Sequence, residues 1–201
     1  MAIKAVIFDL EGVLLLPVKG NFVSLLAERL ETRLEDVQRV MNTPVNAQWD
    51  LGEISDDDFF TFLLSELGQP LEKKTILASF VTDDFSIDSQ LLEFVRRLHK
   101  AYCTALLTNF PSHLHDFMKT RWAIDGAFDH VIASCDVKLL KPDPRMYRTA
   151  LEIIGCRPEE AIFVDDREVN IKAAQALGIC SVLYRNREEG IQEVRSLLKS
   201  G

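Results

Sequence analysis

Five short apolar runs, each leading through a turn toward a stretch of helical periodicity, set the strongest limit on how this chain folds. Ala5-Val6-Ile7-Phe8 is the first; Cys103 to Leu107, His130 to Ala133, Ala161 to Val164 and Ile179 to Leu183 follow. Continuous apolar runs of this length, rich in Val and Ile, fit parallel strands buried on both faces. The helical periods between them are carried by Leu91, Leu92, Phe94, Val95 and Leu98, then by Met146, Ala150, Leu151 and Ile154. A third runs from Val169 to Leu177 and stops at Gly178, as a C-cap would. Asp143-Pro144 reads as an N-cap followed by proline in the first turn. This alternation predicts an α/β fold built on a doubly wound parallel sheet.

Residues 16–85 interrupt the alternation. They show helical stretches at Asn21 to Leu30, Leu34 to Met41, Asp56 to Leu67 and Leu71 to Val81, and no clear strand. Ser55-x-x-Asp58 ahead of an apolar run is a helix-start signal of the capping-box type. A block of this size is far longer than an ordinary βα connection. The expected organisation is therefore a core of residues 1–15 and 86–201, with residues 16–85 inserted as an α-helical cap.

Charge and cysteine usage narrow the function classes. The net charge of -8 disfavours nucleic acid or an anionic membrane as a partner, since both call for a basic surface. Asp9 and Glu11 interrupt the apolar start, so it does not read as a signal sequence, and no run approaches the roughly 20 apolar residues of a membrane span. Cys103, Cys135, Cys156 and Cys180 form no C-x-x-C pair and read as reduced, packed thiols. A soluble, cytoplasmic protein is expected.

Ligands of open α/β sheets bind beyond the carboxyl ends of the strands. Asp9-Leu-Glu11-Gly12 stands there after the first run, Thr108-Asn109 after the second, Lys141-Pro-Asp-Pro144 after the third, and Asp165-Asp166 after the fourth, with Asn170 about one helical turn on. Any one of these acids can be a helix cap. Four acids, a hydroxyl and a lysine along one edge are better read as a site, and acids brought together need compensating charge. An all-oxygen set suits Mg²⁺, and Mg²⁺ with Lys141 would neutralise a phosphoryl group moving between oxygens.

These segments resemble the motifs of the haloacid dehalogenase superfamily, in order and over essentially the whole chain. Asp9-Leu-Glu-Gly-Val-Leu14 is similar to its first motif, Leu106-Leu-Thr-Asn109 to its second, Lys141-Pro-Asp-Pro144 to its third, and Phe163-Val-Asp-Asp-x-x-x-Asn170 to its fourth. The resemblance implies a Rossmann-like core with a small helical cap, and a Mg²⁺-dependent phosphohydrolase acting on a small organic phosphate monoester, a phosphorylated metabolite. It implies that Asp9 attacks phosphorus and forms an aspartyl-phosphate, and that Glu11 protonates the leaving group and then activates water. Thr108, Asn109 and Lys141 would contact the phosphoryl group. The metal would be held by Asp9, the Glu11 carbonyl and Asp166, with Asp165 and Asn170 orienting these ligands.

The family's usual residue at the acid/base position is Asp, and this chain has Glu11, whose extra methylene moves the carboxyl by about 1.5 Å. Two alternatives stand beside the phosphatase: a sugar-phosphate mutase of the same fold and, because of Glu11, a weakened binding or regulatory module. Elsewhere, His113 and His115 read as surface residues, and Phe59, Phe60 and Phe62 as cap core. Asp56 to Asp58 read as a charged helix N-terminus. Asn46-x-x-Trp49-x-x-Gly52-Glu53, between expected helices, has both a packing and a substrate-facing reading.

Overall fold

Strands buried on both faces must present apolar side chains alternately to two helical layers, and this chain does so. The structure, a computed structural model, describes residues 2–200. Its strands in chain order are β1 (Ala5–Phe8), β2 (Leu15–Pro17), β3 (Phe85–Ile87), β4 (Cys103–Thr108), β5 (His130–Ala133), β6 (Ala161–Asp165) and β7 (Cys180–Leu183). Five form a parallel sheet in the order β5-β4-β1-β6-β7. The helices are α1 (Phe22–Leu30), α2 (Leu34–Met41), α3 (Pro44–Asp50), α4 (Asp56–Glu66), α5 (Lys74–Asp83), α6 (Ser89–Leu98), α7 (Leu114–Thr120), α8 (Ser134–Val137), α9 (Pro144–Ile154), α10 (Glu168–Ala176) and α11 (Arg187–Ser200). The architecture is the expected doubly wound α/β fold, with five helices inserted after the first core strand.

Val6, Phe8, Leu106, Ile162 and Val164 pack on one face of the sheet with Leu91, Phe94 and Val95 of α6 and Val194 of α11. Ile7, Ala105, Leu107 and Phe163 pack on the other with Met146 and Tyr147 of α9 and Ile171 of α10. The period of two along each strand divides the core into these layers. The first layer continues unbroken through Leu10, Val13 and Leu14 into the inserted helices, where Leu25, Val37, Trp49, Phe59 and Leu63 are buried.

Two expected caps are present: Ser55 accepts from the Asp58 N–H at 3.1 Å, and Asp143 accepts from the Arg145 N–H at 2.9 Å. The antiparallel ribbon of β2 and β3, which joins the two crossings between core and insertion, escaped the sequence reading. So did α3, α7, α8 and α11, which are short or densely charged. All four cysteines are free, and among the described residues no helix is long and apolar enough to cross a membrane.

Phe163 lies in the middle of β6, fully buried, with Tyr147 edge-on at 5.5 Å. Phe163→Ala is expected to lower the unfolding free energy by about 3–5 kcal/mol, the usual cost of deleting a core ring. Urea denaturation checks this, and the loss should appear as a lower midpoint at unchanged slope.

Candidate active site

Chain order reverses at β1, whose neighbours β4 and β6 lead off in opposite directions, and a crevice opens at such a switch point beyond the strand ends. It has a volume of 390 Å³, and its walls include Asp9, Glu11, Thr108, Asn109, Lys141, Asp166 and Asn170. Asp165, fully buried, lies behind Lys141.

Lys141 is 4% exposed and holds two carboxylates, with Nζ 2.7 Å from Asp9 Oδ1 and 2.8 Å from Asp165 Oδ2. Its ammonium stands 5.6 Å from the centre of the Phe163 ring. Asn109 fixes its peptide from both ends. The Lys141 N–H donates to Asn109 Oδ1 at 2.8 Å, and Asn109 Nδ2 donates to the Lys141 carbonyl at 3.0 Å. Asp9 Oδ1 also accepts from the Leu10 N–H at 2.7 Å.

The neighbouring acids of the last motif differ sharply. Asp165 accepts from Lys141, from the Arg167 N–H at 2.8 Å, and from Asn170 Nδ2 at 3.0 Å, so its oxygens are committed to the protein. Asp166 is exposed and takes part in no salt bridge among the described residues. It faces Gly12, whose φ is +82°, and a Cβ at that position would lie 2.6 Å from Asp166 Cγ. Only glycine permits both that backbone and that approach.

Burial pushes the Asp9 carboxyl well above the usual range; Lys141 opposes the shift and Asp165 adds to it. Asp166, exposed on its outer side, is raised by partial burial of its carboxyl and then by Asp165. Burial, Asp50 and Asp166 together push Glu11 up to about 7, and burial alone pushes Asp50 up to about 7 against the pull of Arg167. Five carboxyl groups (Asp9, Glu11, Asp50, Asp165, Asp166) thus share the region with two cations, Lys141 and Arg167. Asp9, Asp165 and Asp166 offer oxygens that lie within 4.8 Å of one another. The Asp9 and Asp166 oxygens of this set, with its excess negative charge, fit a hard divalent cation. The Thr108 hydroxyl is buried without a hydrogen-bond partner, on the wall of the same crevice. Buried hydroxyls are otherwise nearly always paired, so an incoming acceptor or donor belongs there.

The structure adds residues that the sequence reading passed over. Arg167 lines the crevice, and Asp50 and Asn46 of α3 line a recess that joins it at Glu11 and Asn109. Arg167 could have been found by the strand-end argument, since it follows Asp166 directly. His113 corrects an expectation. Rather than lying at the surface it is largely buried, with Nδ1 2.9 Å from Asp56 Oδ2, while Trp49 Nε1 donates to Asp56 Oδ1 at 2.7 Å. Asp56 therefore bridges the insertion to the core in addition to heading α4. His115 is exposed and pairs with Asp136, and Phe59 is buried in a stack on Trp49 at 4.0 Å.

A parallel sheet carrying a lysine-braced acid, a free hydroxyl and an outward acid at its switch point describes a phosphatase-type hydrolase, and comparison with known proteins agrees. Residues 3–178 match the model of the haloacid dehalogenase-like hydrolases, and the chain belongs to that family. Sesquiterpene phosphatase astK of Aspergillus oryzae is 29% identical over 199 residues, covering 97% of this chain and 96% of that one. The phosphorylated carbohydrates phosphatase of Thermotoga maritima is 28% identical over 185 residues, covering 88% and 82%. Two longer curated relatives are matched over only 14% and 39% of their own length. A family enzyme from Bacteroides thetaiotaomicron, solved in complex with magnesium and inorganic phosphate, shares the fold with a TM-score of 0.76 at 21% identity, covering 92% of this chain and 95% of that one.

Asp50 gives a test of these electrostatics. Its carboxyl binds its proton more tightly folded than unfolded, so its contribution is fully present below its ordinary pKa of 3.8 and is lost as the pH rises through about 7. Asp50→Asn should therefore raise the Tm of metal-free protein most above about pH 7, with the gain shrinking toward pH 3.8. Thermal melts of both proteins across that range check it, and a gain that grew toward low pH would contradict the assigned burial.

Proposed function

We propose that this chain is a Mg²⁺-dependent phosphomonoesterase that transfers the phosphoryl group of a small organic phosphate to Asp9 and then to water. The observation that carries this reading is the Lys141 bridge. It holds Asp9 Oδ1 at 2.7 Å in a fixed orientation at the mouth of the crevice, beside the unpartnered hydroxyl of Thr108. In-line attack needs such a fixed geometry more than an unusually basic nucleophile. One Asp9 oxygen forms a bond to phosphorus as the ester P–O bond breaks, giving an aspartyl-phosphate and an alkoxide. Thr108 donates to a phosphoryl oxygen, and Lys141 offsets the charge of the group in flight. Asn109 keeps Lys141 in place.

Glu11 moves the proton. With its pKa near 7, it holds a proton for the leaving alkoxide and then, as a carboxylate, takes one from the water that cleaves the intermediate. Burial first, and then the proximity of Asp50, raises that proton affinity, and this favours an active enzyme over a binding module that has lost turnover. The Asp9 carboxylate, the Glu11 carbonyl and the Asp166 carboxylate would hold the cation, with Asp165 and Asn170 orienting the set. When bound, the cation supplies positive charge against the phosphoryl oxygens. The inserted helices act as a cap that keeps bulk water from the crevice. Two relatives are named for phosphatase activity on unlike organic groups, a sesquiterpene and carbohydrates, which supports a shared phosphoryl site under variable caps.

Phosphate release from a panel of monoesters tests the reading. Release should require Mg²⁺, vanish with EDTA and vanish in Asp9→Asn, which keeps the shape of Asp9 but cannot form the acyl-phosphate. Glu11→Gln should lose at least about 100-fold on alkyl phosphates and less on aryl phosphates, whose leaving groups need no proton. Equal losses on both, or full activity in EDTA, would contradict the assigned roles.

A further inference from the structure

Between the helical insertion and α7 lies a second cavity of 340 Å³, and its walls are of the opposite character. Its walls include Phe22, Trp49, Phe59, Phe60, Leu77 and Phe80. The space is a cleft about as open to solvent as the crevice itself, so an apolar occupant would remove these rings from water. The volume lies within the range of sites that take small organic molecules.

The charged and titratable side chains on this wall are already engaged with one another. Lys74 donates to Asp57 Oδ1 at 2.6 Å. Asp56 accepts from Trp49 at 2.7 Å and pairs with His113 at 2.9 Å. The cavity thus offers an occupant mainly apolar surface, the reverse of the Thr108 and Asp166 side of the molecule. The two spaces also share walls. Phe22 borders both, and the recess beside Glu11 and Asn109 ends on Trp49 and His113, which belong to the cavity as well.

From these shared walls and their apolar character we infer that the cap cavity is the subsite for the hydrocarbon part of the substrate, and that the enzyme's preferred substrates are monophosphates of extended aliphatic alcohols. The inference rests on the phosphatase reading and adds the chemical class of the ester. The phosphoryl group is held by Thr108 and Lys141 at the sheet edge, and the alkyl chain passes Phe22 and Trp49 into the insertion. Each methylene removed from water lowers the free energy of the bound state without touching the reacting atoms, so the gain appears in KM.

Hydrolysis of straight-chain alkyl monophosphates from ethyl to decyl, with Mg²⁺ present, tests this. The expected result is a kcat/KM that rises about threefold per added methylene until the cavity is full, with kcat nearly constant. Leu77→Trp, which fills the space from α5, should flatten the rise at the longer chains. Binding of the same series to Asp9→Asn, followed by tryptophan fluorescence, measures the preference independently of turnover and of that variant's folding. Steady release from every ester with no gradient in KM or affinity would overturn the subsite while leaving the phosphatase standing. Affinity that climbs with chain length but no release from any ester would retain the subsite and sink the phosphatase. A gradient that persists undiminished in folded Leu77→Trp would place the chain elsewhere and refute the assignment.

Discussion

Lys141 carries its charge to a place where almost none of its surface meets solvent, and Asp9 and Asp165 receive it there at 2.7 and 2.8 Å. Removing three ionised groups from water costs several kcal/mol each, and mutual attraction offsets this only where geometry is good and the remaining hydrogen-bonding capacity is filled. The surrounding structure meets both conditions. Asn109 clamps the lysine peptide, Asn170 and the Arg167 N–H occupy Asp165, and the Leu10 N–H occupies Asp9. These partners follow the ends of β4, β6 and β1. The bridge thus ties β1, β6 and the segment after β5 together at the one point where the sheet leaves a crevice. Replacing it with apolar residues need cost no stability; its value lies in the orientation it imposes on Asp9.

The same bridge explains why Asp165 and Asp166, adjacent in sequence, have different prospects. A strand sends successive side chains to opposite sides, and β6 ends on a buried Asp165 whose oxygens are consumed by the protein. The chain then turns, and Asp166 reaches the open side, where Gly12 leaves room for it. One acid builds the site and the other remains available to a ligand.

Polar and apolar work are separated in space. Excess negative charge, a buried hydroxyl without a partner and two cations gather at the sheet edge. Aromatic rings line an apolar cleft between the insertion and α7, where Lys74 pairs with Asp57 and Asp56 with His113. Trp49 and His113 stand between them and share Asp56, so the boundary is also the contact through which the inserted helices are fastened to the core.

How much of this was legible in the sequence follows from the range of the interactions involved. The core strands and the strand-end residues Asp9, Thr108, Lys141 and Asp165 could be read because apolar runs and the acids that end them are local patterns. The β2–β3 ribbon could not: its strands are three residues each, and their pairing partners lie about seventy residues apart. Nor could the influence of Asp50 on Glu11, or the pairing of His113 with Asp56. These depend on how the helical insertion settles on the core, and charge acts through space regardless of chain separation. The cap cavity is the extreme case. Phe59 read correctly as an interior residue and Phe60 is partly buried beside it, yet whether such side chains close up or leave 340 Å³ between them is settled only when five helices pack. The sequence by itself determined the sheet, its edge and the chemistry gathered there; tertiary packing decided the proton affinity of Glu11, the division of labour between Asp165 and Asp166, and the empty space, because each of these is a property of distances between elements.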